Sequence, residues 1–426
     1  MSIANLRQFI CNSLPILCQF LASSLRGRKS YTNAWETRKL GEVVEFYSGL
    51  TYSPDDVIYN AGTFVLRSSN INGGEIVDAD NVYVNSDVVN CSNVKVGDVI
   101  VVVRNGSRNL IGKHAQVKTE MKNTVIGAFM TGLRSPQSEF VNTLLDTSQF
   151  DIEITKNLGA TINQITTGAF KQMVFSMPTD NEEQTAIGTY FATLDTAIAL
   201  HKRKLAGLRQ LKRGYLQVMF PQAGERVPRV RCAGCSGEWE HSTISKTGIK
   251  VLSGFAFQSS TYVDEGQYKI LTIANVKQGT LNITKCVTIE KLPSELQEHH
   301  QLKRGDIVIS LTGNVGRSCF IDADGLLLNQ RVGLFADITL DKYFFYSILQ
   351  NANFADEMIA NAQGGAQPNL SNKDIYNYAF SYPRDKAEQI AIGNFFRLLD
   401  NQITAQSQKV EQLQSLKKAY LQKMFI

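Results

Sequence analysis

The sequence predicts an α+β protein with an internal two-fold repeat, in which two mixed α/β domains are separated by two long antiparallel coiled-coil helices. Three observations lead to this prediction. The segment LRQLKRGYLQVMF at residues 208–220 returns as LQSLKKAYLQKMF at residues 413–425. Matching residues also keep a constant separation outside these segments. Within each half, the hydrophobic pattern changes from strand-like runs to helical spacing.

The repeat extends through most of the chain. Phe220 and Phe425 lie 205 residues apart, and so do Gly49 and Gly254 in the region before the helices. Two unrelated coiled-coil helices can resemble each other through composition alone. Composition does not preserve a separation across non-helical segments, so the sequence predicts two half-copies.

Composition is that of an ordinary globular protein. Hydrophobic residues make up 43% and charged residues 19% of the 426 residues, a length that suits two to three domains. The formal net charge of +5 permits a polyanionic partner without requiring one. Seven dispersed cysteines do not form the dense framework of a secreted disulfide protein, so we expect a cytoplasmic location.

The motif C-x-x-C occurs once, at Cys232 and Cys235. No second cysteine or histidine pair follows at zinc-ligand spacing, so a metal site at this position would lack two ligands. We therefore expect no metal here.

Residues 1–30 have no counterpart in the second half. The run FICNSLPILCQFLASSL could serve as the apolar region of an export signal, but Asn12, Pro15 and Gln19 interrupt it. It also falls short of the ~20 apolar residues that span a bilayer. We interpret residues 1–30 as an N-terminal extension of doubtful status, with an upstream start codon and an export signal as the two alternatives.

Short strands and turns are predicted for residues 31–180 and 239–383. The first region contains VVEFYSGL, TFVLRSSNI, DVIVVVRNG and GAFMTGL, separated by clusters of Gly, Asn and Asp. The second contains YKILTIANV, GDIVISLTGN and RVGLFADI. Residues 223–238 are predicted to link the first helix to the second strand region.

A long amphipathic helix is predicted after each strand region, at residues 181–222 and 384–426. A helix with one apolar seam needs a partner of similar length, so we expect the two copies to pair and to hold the two domains apart. The alternative is that each helix packs only on its own domain. The residues predicted to pair the helices are Ile187, Phe191, Leu194, Ile198, Leu205, Leu208, Ile392, Phe396, Leu399, Ile403, Val410 and Leu413.

Basic residues on the first helix are expected to lie on its solvated or partner-facing side. Charge on the outside of a coiled coil usually sets solubility and pairing, so these side chains are not expected to read DNA. They are Lys202, Arg203, Lys204, Lys212 and Arg213.

Polar residues in the turns between strands are candidates for contact with DNA. Arginine suits guanine, asparagine and glutamine suit adenine, and serine or lysine suits phosphate. The candidates in the first domain are Arg67, Ser69, Asn70, Arg104, Asn105, Ser107, Arg108 and Lys113. Those in the second domain are Asn275, Lys277, Thr312, Asn314, Arg317, Gln330 and Arg331.

Motifs of several enzyme classes are missing. The sequence has no G-x-x-x-x-G-K-[ST] phosphate loop, no G-x-G-x-x-G opening a helix after a strand, and no H-E-x-x-H. A binding protein is therefore favoured over an enzyme.

Four features together resemble the specificity (S) subunit of type I restriction-modification systems. They are NAWETRKLGEV at 33–43, KRGDIVISLTGNVGR at 303–317, GGAQPNLSNKDI at 364–375, and EQ-x-AIG starting at Glu183 and again at Glu388. The resemblance covers residues 31–426. It implies two target-recognition domains, 31–180 and 239–383, each followed by a long conserved helix.

The resemblance also implies a function for each part. Each domain enters the major groove at one half-site of double-stranded DNA, and the loop at 364–375 adds Gln367 and Asn369 to the candidates. Modification subunits with S-adenosylmethionine methylate adenine, and restriction subunits with ATP and Mg cut the DNA, while this chain binds no cofactor. The first domain has GATINQITTGAF in place of GGAQPNLSNKDI, which implies different half-sites. The alternative is a coiled-coil structural or peptide-binding protein without DNA specificity.

Overall fold

A computed structural model describes residues 35–59, 62–158, 163–222, 224–362 and 368–425. The predicted N-terminal extension at residues 1–30 and the candidate Gln367 lie outside the described residues. The chain divides into two compact units. The first unit comprises Met1–His201 and Lys409–Ile426, and the second comprises Lys202–Gln408. Among the described residues, no helix combines the length and apolar character that crossing a membrane requires.

The first unit is built mainly from two four-stranded sheets, with strand orders β2-β11-β8-β9 and β10-β4-β7-β3. Two short pairs, β1-β12 and β5-β6, complete it. The strands are β1 Glu36–Lys39, β2 Glu45–Ser48, β3 Val57–Ile58, β4 Thr63–Leu66, β5 Ile71–Asn72, β6 Glu75–Ile76, β7 Val82–Val84, β8 Val99–Val102, β9 His114–Gln116, β10 Thr124–Ile126, β11 Met130–Arg134 and β12 Val174–Met177.

The second unit repeats this plan with sheets β14-β24-β21-β22 and β15-β19-β16-β23-β20, and with the pairs β13-β25 and β17-β18. Its strands are β13 Glu240–Thr243, β14 Lys250–Ser253, β15 Tyr262–Val263, β16 Tyr268–Leu271, β17 Val276–Lys277, β18 Thr280–Leu281, β19 Val287–Ile289, β20 Gln301–Leu302, β21 Ile307–Ser310, β22 Ser318–Phe320, β23 Leu326–Leu328, β24 Val332–Ala336 and β25 Ala379–Tyr382.

Among the residues that the structure describes, each unit has three short α-helices beside its sheets, and two long helices contribute to both units. The helices are α1 Ser138–Leu145, α2 Ser148–Asn157, α3 Thr167–Gln172, α4 Asn181–Val218, α5 Lys342–Leu349, α6 Ala352–Asn361, α7 Asn372–Asn377 and α8 Lys386–Met424. The central strand β8 is entirely apolar, β21 is apolar except for Ser310, and both are fully buried, which is typical of strands covered on both faces. The largest core cluster of the first unit includes residues of α1, α3 and the long helices. That of the second unit includes residues of α5, α7 and the long helices.

The two long helices begin in the same way. Asp180 accepts a hydrogen bond from the Glu182 backbone N–H at 2.8 Å, and Asp385 accepts one from the Ala387 N–H at 2.8 Å. Both are N-cap aspartates, which satisfy an otherwise unpaired donor and place negative charge at the positive end of the helix.

The EQ-x-AIG motif has a structural role in both helices. The amides of Gln184 and Gln389 donate to the carbonyl groups of Pro178 and Pro383 at 2.8 Å, which fixes each helix to the strand before it. The preceding glutamates, at positions 183 and 388, accept hydrogen bonds from the indole N–H of Trp35 and Trp239.

The glycine that ends this motif allows a short helix to approach closely. A Cβ atom on Gly188 would lie 2.5 Å from the Phe140 backbone nitrogen in α1. A Cβ atom on Gly393 would lie 2.8 Å from the Phe344 backbone nitrogen in α5. The motif is therefore explained by how each long helix packs on the strands and short helices that precede it.

Within the first unit, the beginning of α4 packs against the end of α8. Tyr190 and Tyr420 have ring centroids 5.6 Å apart, and Leu194 and Ile198 share a buried cluster with Leu413. Residue numbers rise along one helix as they fall along the other, so the pairing is antiparallel.

Within the second unit, the end of α4 packs against the beginning of α8. Tyr215 lies 4.8 Å from Phe395 between ring centroids, and Phe220, just beyond α4, lies 5.9 Å from Phe396. Ten of the twelve predicted pairing residues are buried, while Leu208 and Ile403 are half-buried. The predicted fold class is confirmed.

The prediction for Lys212 was wrong. Lys202, Arg203, Lys204 and Arg213 are exposed, but the Lys212 side chain is only 12% exposed and forms an ion pair with Asp400. Lys212 lies beside the apolar seam of α4, so its ammonium group reaches a carboxylate on α8. Lys212 therefore stabilises the second unit instead of lying on a solvated face.

Candidate nucleic-acid interface

A tight hairpin follows the central strand of each unit. In the first unit, the Gly112 N–H donates to the Val102 carbonyl at 2.9 Å, which closes a loop between β8 and β9. In the second unit, the Gly316 N–H donates to the Ser310 carbonyl at 2.9 Å between β21 and β22. The two hydrogen bonds identify equivalent positions, with Lys113 corresponding to Arg317.

A second loop, which enters β11 or β24, is held against this hairpin. The Val103 N–H donates to the Phe129 carbonyl at 3.0 Å, and the Leu311 N–H donates to the Arg331 carbonyl at 2.9 Å. Phe129 and Arg331 are therefore equivalent positions in the two units.

A third loop, which precedes α3 or α7, meets the same hairpin. The Ile165 N–H donates to the Val103 carbonyl at 2.8 Å, and the Leu370 N–H donates to the Leu311 carbonyl at 2.7 Å. Isolated bridges join Arg104 to Gln164 and Thr312 to Asn369. We call these three converging loops the loop edge: residues 103–113, 127–130 and 163–165 in the first unit, and 311–317, 329–332 and 368–370 in the second.

Most of the candidates in the first unit lie at or beside this loop edge. Asn105 is half-buried, and its amide donates to the Ser68 hydroxyl at 2.9 Å, which connects the hairpin to the turn after β4. Arg67 in that turn is half-buried and forms a 3.2 Å ion pair with Asp80. The exposed candidates are Ser69, Arg104, Ser107, Arg108 and Lys113.

The second unit presents a different set. Thr312 and Arg317 are half-buried, and the Thr312 hydroxyl is buried without a hydrogen-bond partner among the described residues. The exposed candidates are Lys277, Asn314, Gln330, Arg331 and Asn369.

Two candidates, Asn70 and Asn275, are corrected by the structure. The Asn70 side chain is fully buried, its amide donates to the Ala79 carbonyl at 2.6 Å, and its oxygen accepts from the Arg67 N–H. Asn275 is buried in the same manner, with its amide 2.9 Å from the Asn282 carbonyl. Both side chains stabilise the turns that carry them, so neither amide is available to a base.

Two residues at the first loop edge were missed by sequence reasoning. Phe129 is apolar, so its side-chain type does not indicate contact with a base edge, and Gln164 lies in a loop whose sequence differs from that of its counterpart in the second unit. Hydrogen-bond equivalence to Arg331 and Asn369 identifies both positions. Gln164 could have been predicted from side-chain type, because it is an amide residue at the position equivalent to Asn369.

The hairpin of the first unit rests on a network of ionisable side chains. His114 Nε2 lies 3.5 Å from Asp146 Oδ1, and Lys417 Nζ lies 2.7 Å from Asp146 Oδ2 and 2.6 Å from Asp195. Burial raises the pKa of Asp146, but His114 and Lys417 outweigh burial and lower this pKa to about 2. Burial also lowers the pKa of Lys417, and the two carboxylates reverse that effect and raise it.

In the second unit, the neutral side chains of Ser318 and Gln350 take the places of His114 and Asp146. The Gln350 amide donates to the Ser318 hydroxyl at 2.9 Å, where Ser318 follows Arg317 as His114 follows Lys113. The two loop edges therefore share their backbone hydrogen bonds, but the side chains that support the hairpin are ionisable in the first unit and neutral at the equivalent positions of the second.

The cysteines of the C-x-x-C motif lie in the second unit. Cys232 packs against its main core, and the Cys235 N–H donates to the Cys232 carbonyl at 3.2 Å. In the part of the chain that the structure describes, no three His, Cys, Asp or Glu side chains are grouped to hold a metal ion.

The exposed candidate side chains of the loop edges are donors, acceptors and permanent cations on loops that are joined by backbone hydrogen bonds. Arginine stays charged at neutral pH and can bond the guanine edge or phosphate in a bidentate manner. Such an arrangement suits hydrogen bonding to the phosphates and base edges of a nucleic acid better than it suits bond-breaking chemistry.

Comparison with solved structures supports the fold. The S subunit of the type I restriction-modification system from M. genitalium matches with a TM-score of 0.64 at 16% identity, covering 94% of this chain and 98% of that chain. At that identity, the likeness concerns the fold alone. Comparison with curated protein sequences finds no match.

Two further structures match at lower TM-scores. One addresses complex assembly and conformational transition of the type I R-M system, with a TM-score of 0.47 at 16% identity over 92% of this chain and 97% of that chain. The other is the HsdS subunit from Thermoanaerobacter tengcongensis, with a TM-score of 0.35 at 18% identity over 92% of this chain and 96% of that chain. These scores are too low to bear on the fold.

The family comparison covers both repeats. Residues 33–210 and residues 237–415 each match the model of the type I restriction modification DNA specificity domain. The two ranges correspond to the two strand regions with most of the helix that follows each. The chain therefore belongs to the family of type I restriction-modification DNA specificity subunits and carries two copies of the family's domain.

Proposed function

We propose that each unit of this DNA specificity subunit reads one half of a bipartite double-stranded DNA target through its loop edge. The observation that carries the proposal is that the two edges share one backbone hydrogen-bond plan but present different side chains. A common scaffold supports a common docking mode, while different side chains select different bases.

We further propose that the chain acts with modification subunits, which methylate adenine, and with restriction subunits, which cut the DNA. In this assignment S-adenosylmethionine, ATP and Mg belong to those partners, and this chain binds none of them. We also propose that the complex acts in the cytoplasm. The alternative of a coiled-coil protein without DNA specificity is not favoured, because both repeats match a DNA specificity domain.

The test is to map the methylated sequence. The chain is co-purified with its modification subunits, incubated with genomic DNA and S-adenosylmethionine, and the modified adenines are located by single-molecule sequencing. We expect a split motif whose half-site centres lie at least ~10 bp apart, about one turn of DNA. A contiguous methylated motif, or methylation without sequence preference, would contradict the proposal.

A further inference from the structure

Phe129 occupies an unusual position for a large apolar side chain. It lies in the turn between β10 and β11, and its side chain is 50% exposed although its carbonyl accepts hydrogen bonds from the Val103 and Arg104 N–H groups. The main chain at this position therefore holds the loop edge together, while half of the ring faces outward. A single exposed aromatic residue is common on protein surfaces, so exposure alone assigns no role.

The neighbour of Phe129 distinguishes it from other exposed aromatic residues. The Arg104 guanidinium lies 4.9 Å from the centre of the ring, within the range of a cation–π contact. This contact orients two exposed side chains with respect to each other. Arg104 can donate hydrogen bonds to guanine or phosphate, whereas Phe129 can make only apolar contacts.

The second unit shows what the same two positions hold in the other repeat. Arg331 replaces Phe129, and Thr312 replaces Arg104. The cation has thus moved from the hairpin to the neighbouring loop, and an aromatic ring stands where the other unit has an arginine. An exposed arginine is a poor replacement for a phenylalanine whose only role is packing. The exchange of Phe129 for Arg331 therefore favours a role for the exposed part of each side chain.

We propose that Phe129 is a specificity-determining residue, and that its ring contacts the 5-methyl group of a thymine in the first half-site beside a base read by Arg104. This inference rests on the proposed function. The thymine methyl group is the apolar feature of the major groove, and side chains such as phenylalanine recognise it by contact. An arginine at the equivalent position of the second unit reads a polar edge instead.

The test removes the methyl group from the DNA and the ring from the protein separately. After the target has been mapped, each thymine of the first half-site is replaced in turn by uracil, which lacks only the 5-methyl group. Binding of these duplexes by the complex with modification subunits is measured for the parent protein and for Phe129→Ala. At one thymine position, we expect uracil to weaken binding by the parent about fourfold, as for loss of one buried methyl group. The Phe129→Ala protein should bind the two duplexes equally.

Controls separate this inference from the proposed function and from misfolding. Uracil in the second half-site should affect the parent and Phe129→Ala equally, and Phe129→Leu should retain part of the methyl preference. Equal melting temperatures of parent and variants check that the fold persists. If the parent binds a split target but no thymine in the first half-site couples to Phe129, the inference is overturned and the proposed function stands. If the parent shows no sequence preference, the proposed function itself fails.

Discussion

The ammonium nitrogen of Lys212 lies 2.7 Å from a carboxylate oxygen of Asp400, joining α4 to α8 inside the second unit. In the first unit, Lys417 and Asp195 form the equivalent pair at 2.6 Å, with the lysine and aspartate exchanged between the helices. This exchange follows from the repeat, because Lys212 and Lys417 are 205 residues apart and so are Asp195 and Asp400. Each unit therefore contains one copy of the same interhelical ion pair.

The two ion pairs should differ in strength. Lys417 contacts Asp146 as well as Asp195, so Lys417→Met removes the only ammonium group shared by two carboxylates of this network and leaves Asp146 with His114. We expect this change to destabilise the first unit by about 2 kcal/mol, less than the cost of breaking a fully buried ion pair from one side, because all three side chains are partly exposed. Lys212→Met should cost the second unit less, because Asp400 is 35% exposed and regains water. Hydrogen exchange of each unit measures both effects, and equal losses would contradict the assignment.

Acid should weaken the first unit through Asp146. Its pKa is about 2 in the folded protein against an ordinary value of 3.8, so its ionised form contributes stability that is complete above about pH 4 and is lost as the pH falls towards 2. Asp195 works in the opposite direction, because burial raises its pKa. Asp146→Asn isolates the first effect. The stability gap between parent and variant should shrink by on the order of 2 kcal/mol between pH 6 and pH 2. A gap independent of pH would exclude this role for the carboxylate.

The glycines that end the two EQ-x-AIG motifs should not tolerate alanine. Gly188→Ala and Gly393→Ala each place a methyl group against the backbone of a short helix, and overpacking of this kind costs about 1–3 kcal/mol. Gly207→Ala, on the same long helix as Gly188, is the matched control, since a Cβ atom there meets nothing within 4 Å. The control should stabilise the protein by up to ~1 kcal/mol through helix propensity. Thermal unfolding distinguishes the three variants, and tolerance of all three would show that the helices can shift.

Single arginines at the loop edges should affect separate half-sites. Arg104→Ala should relax base preference in the first half-site and Arg331→Ala in the second, each at a cost of about 1–3 kcal/mol in discrimination. Lys202→Ala, on the exposed face of α4, is the control and should leave both half-sites unchanged. The methylated motif of each variant gives the answer. A uniform loss of affinity without any change of preference would instead identify the arginines as phosphate contacts.

Exchange of a complete domain should change one half-site only. Replacing residues 31–180 by the corresponding region of another family member leaves both long helices and the second loop edge in place. We therefore expect a new first half-site, with the second half-site and the spacing retained. Sequencing of the methylated DNA checks this, and alteration of both half-sites would show that the domains do not read independently.

The architecture was predictable because a repeat constrains every element twice. A constant separation of 205 residues connected Gly49 to Gly254 and Phe220 to Phe425 before any fold was known. Hydrophobic spacing also indicated which helix residues are buried, since an apolar seam recurs at the helical period. Leu208 and Ile403 are less buried than predicted because spacing does not indicate where packing against a domain gives way to solvent.

The roles of individual polar residues were less predictable. The Asn70 side chain could hydrogen-bond adenine, but its amide and its oxygen are both bonded within the turn that carries it. These bonds are visible only in the folded structure. Lys212 carries a charge on a helix that otherwise exposes its basic residues, and its partner lies 188 positions further along the chain. Phe129 was overlooked because its position matters through backbone hydrogen bonds, which side-chain type does not encode.

The last helix also determines the order in which the protein can finish folding during synthesis. Phe425 contacts the rings of Trp35 and Phe140, so the first unit incorporates residues that leave the ribosome after the second domain has been translated. At about 5–20 residues per second, translation of the roughly 200 intervening residues takes on the order of 10–40 s. Throughout that interval, the apolar surface that α8 covers remains open to water. The domain that is translated first is thus the one completed last, and it is the one whose exposed core a chaperone would have to protect.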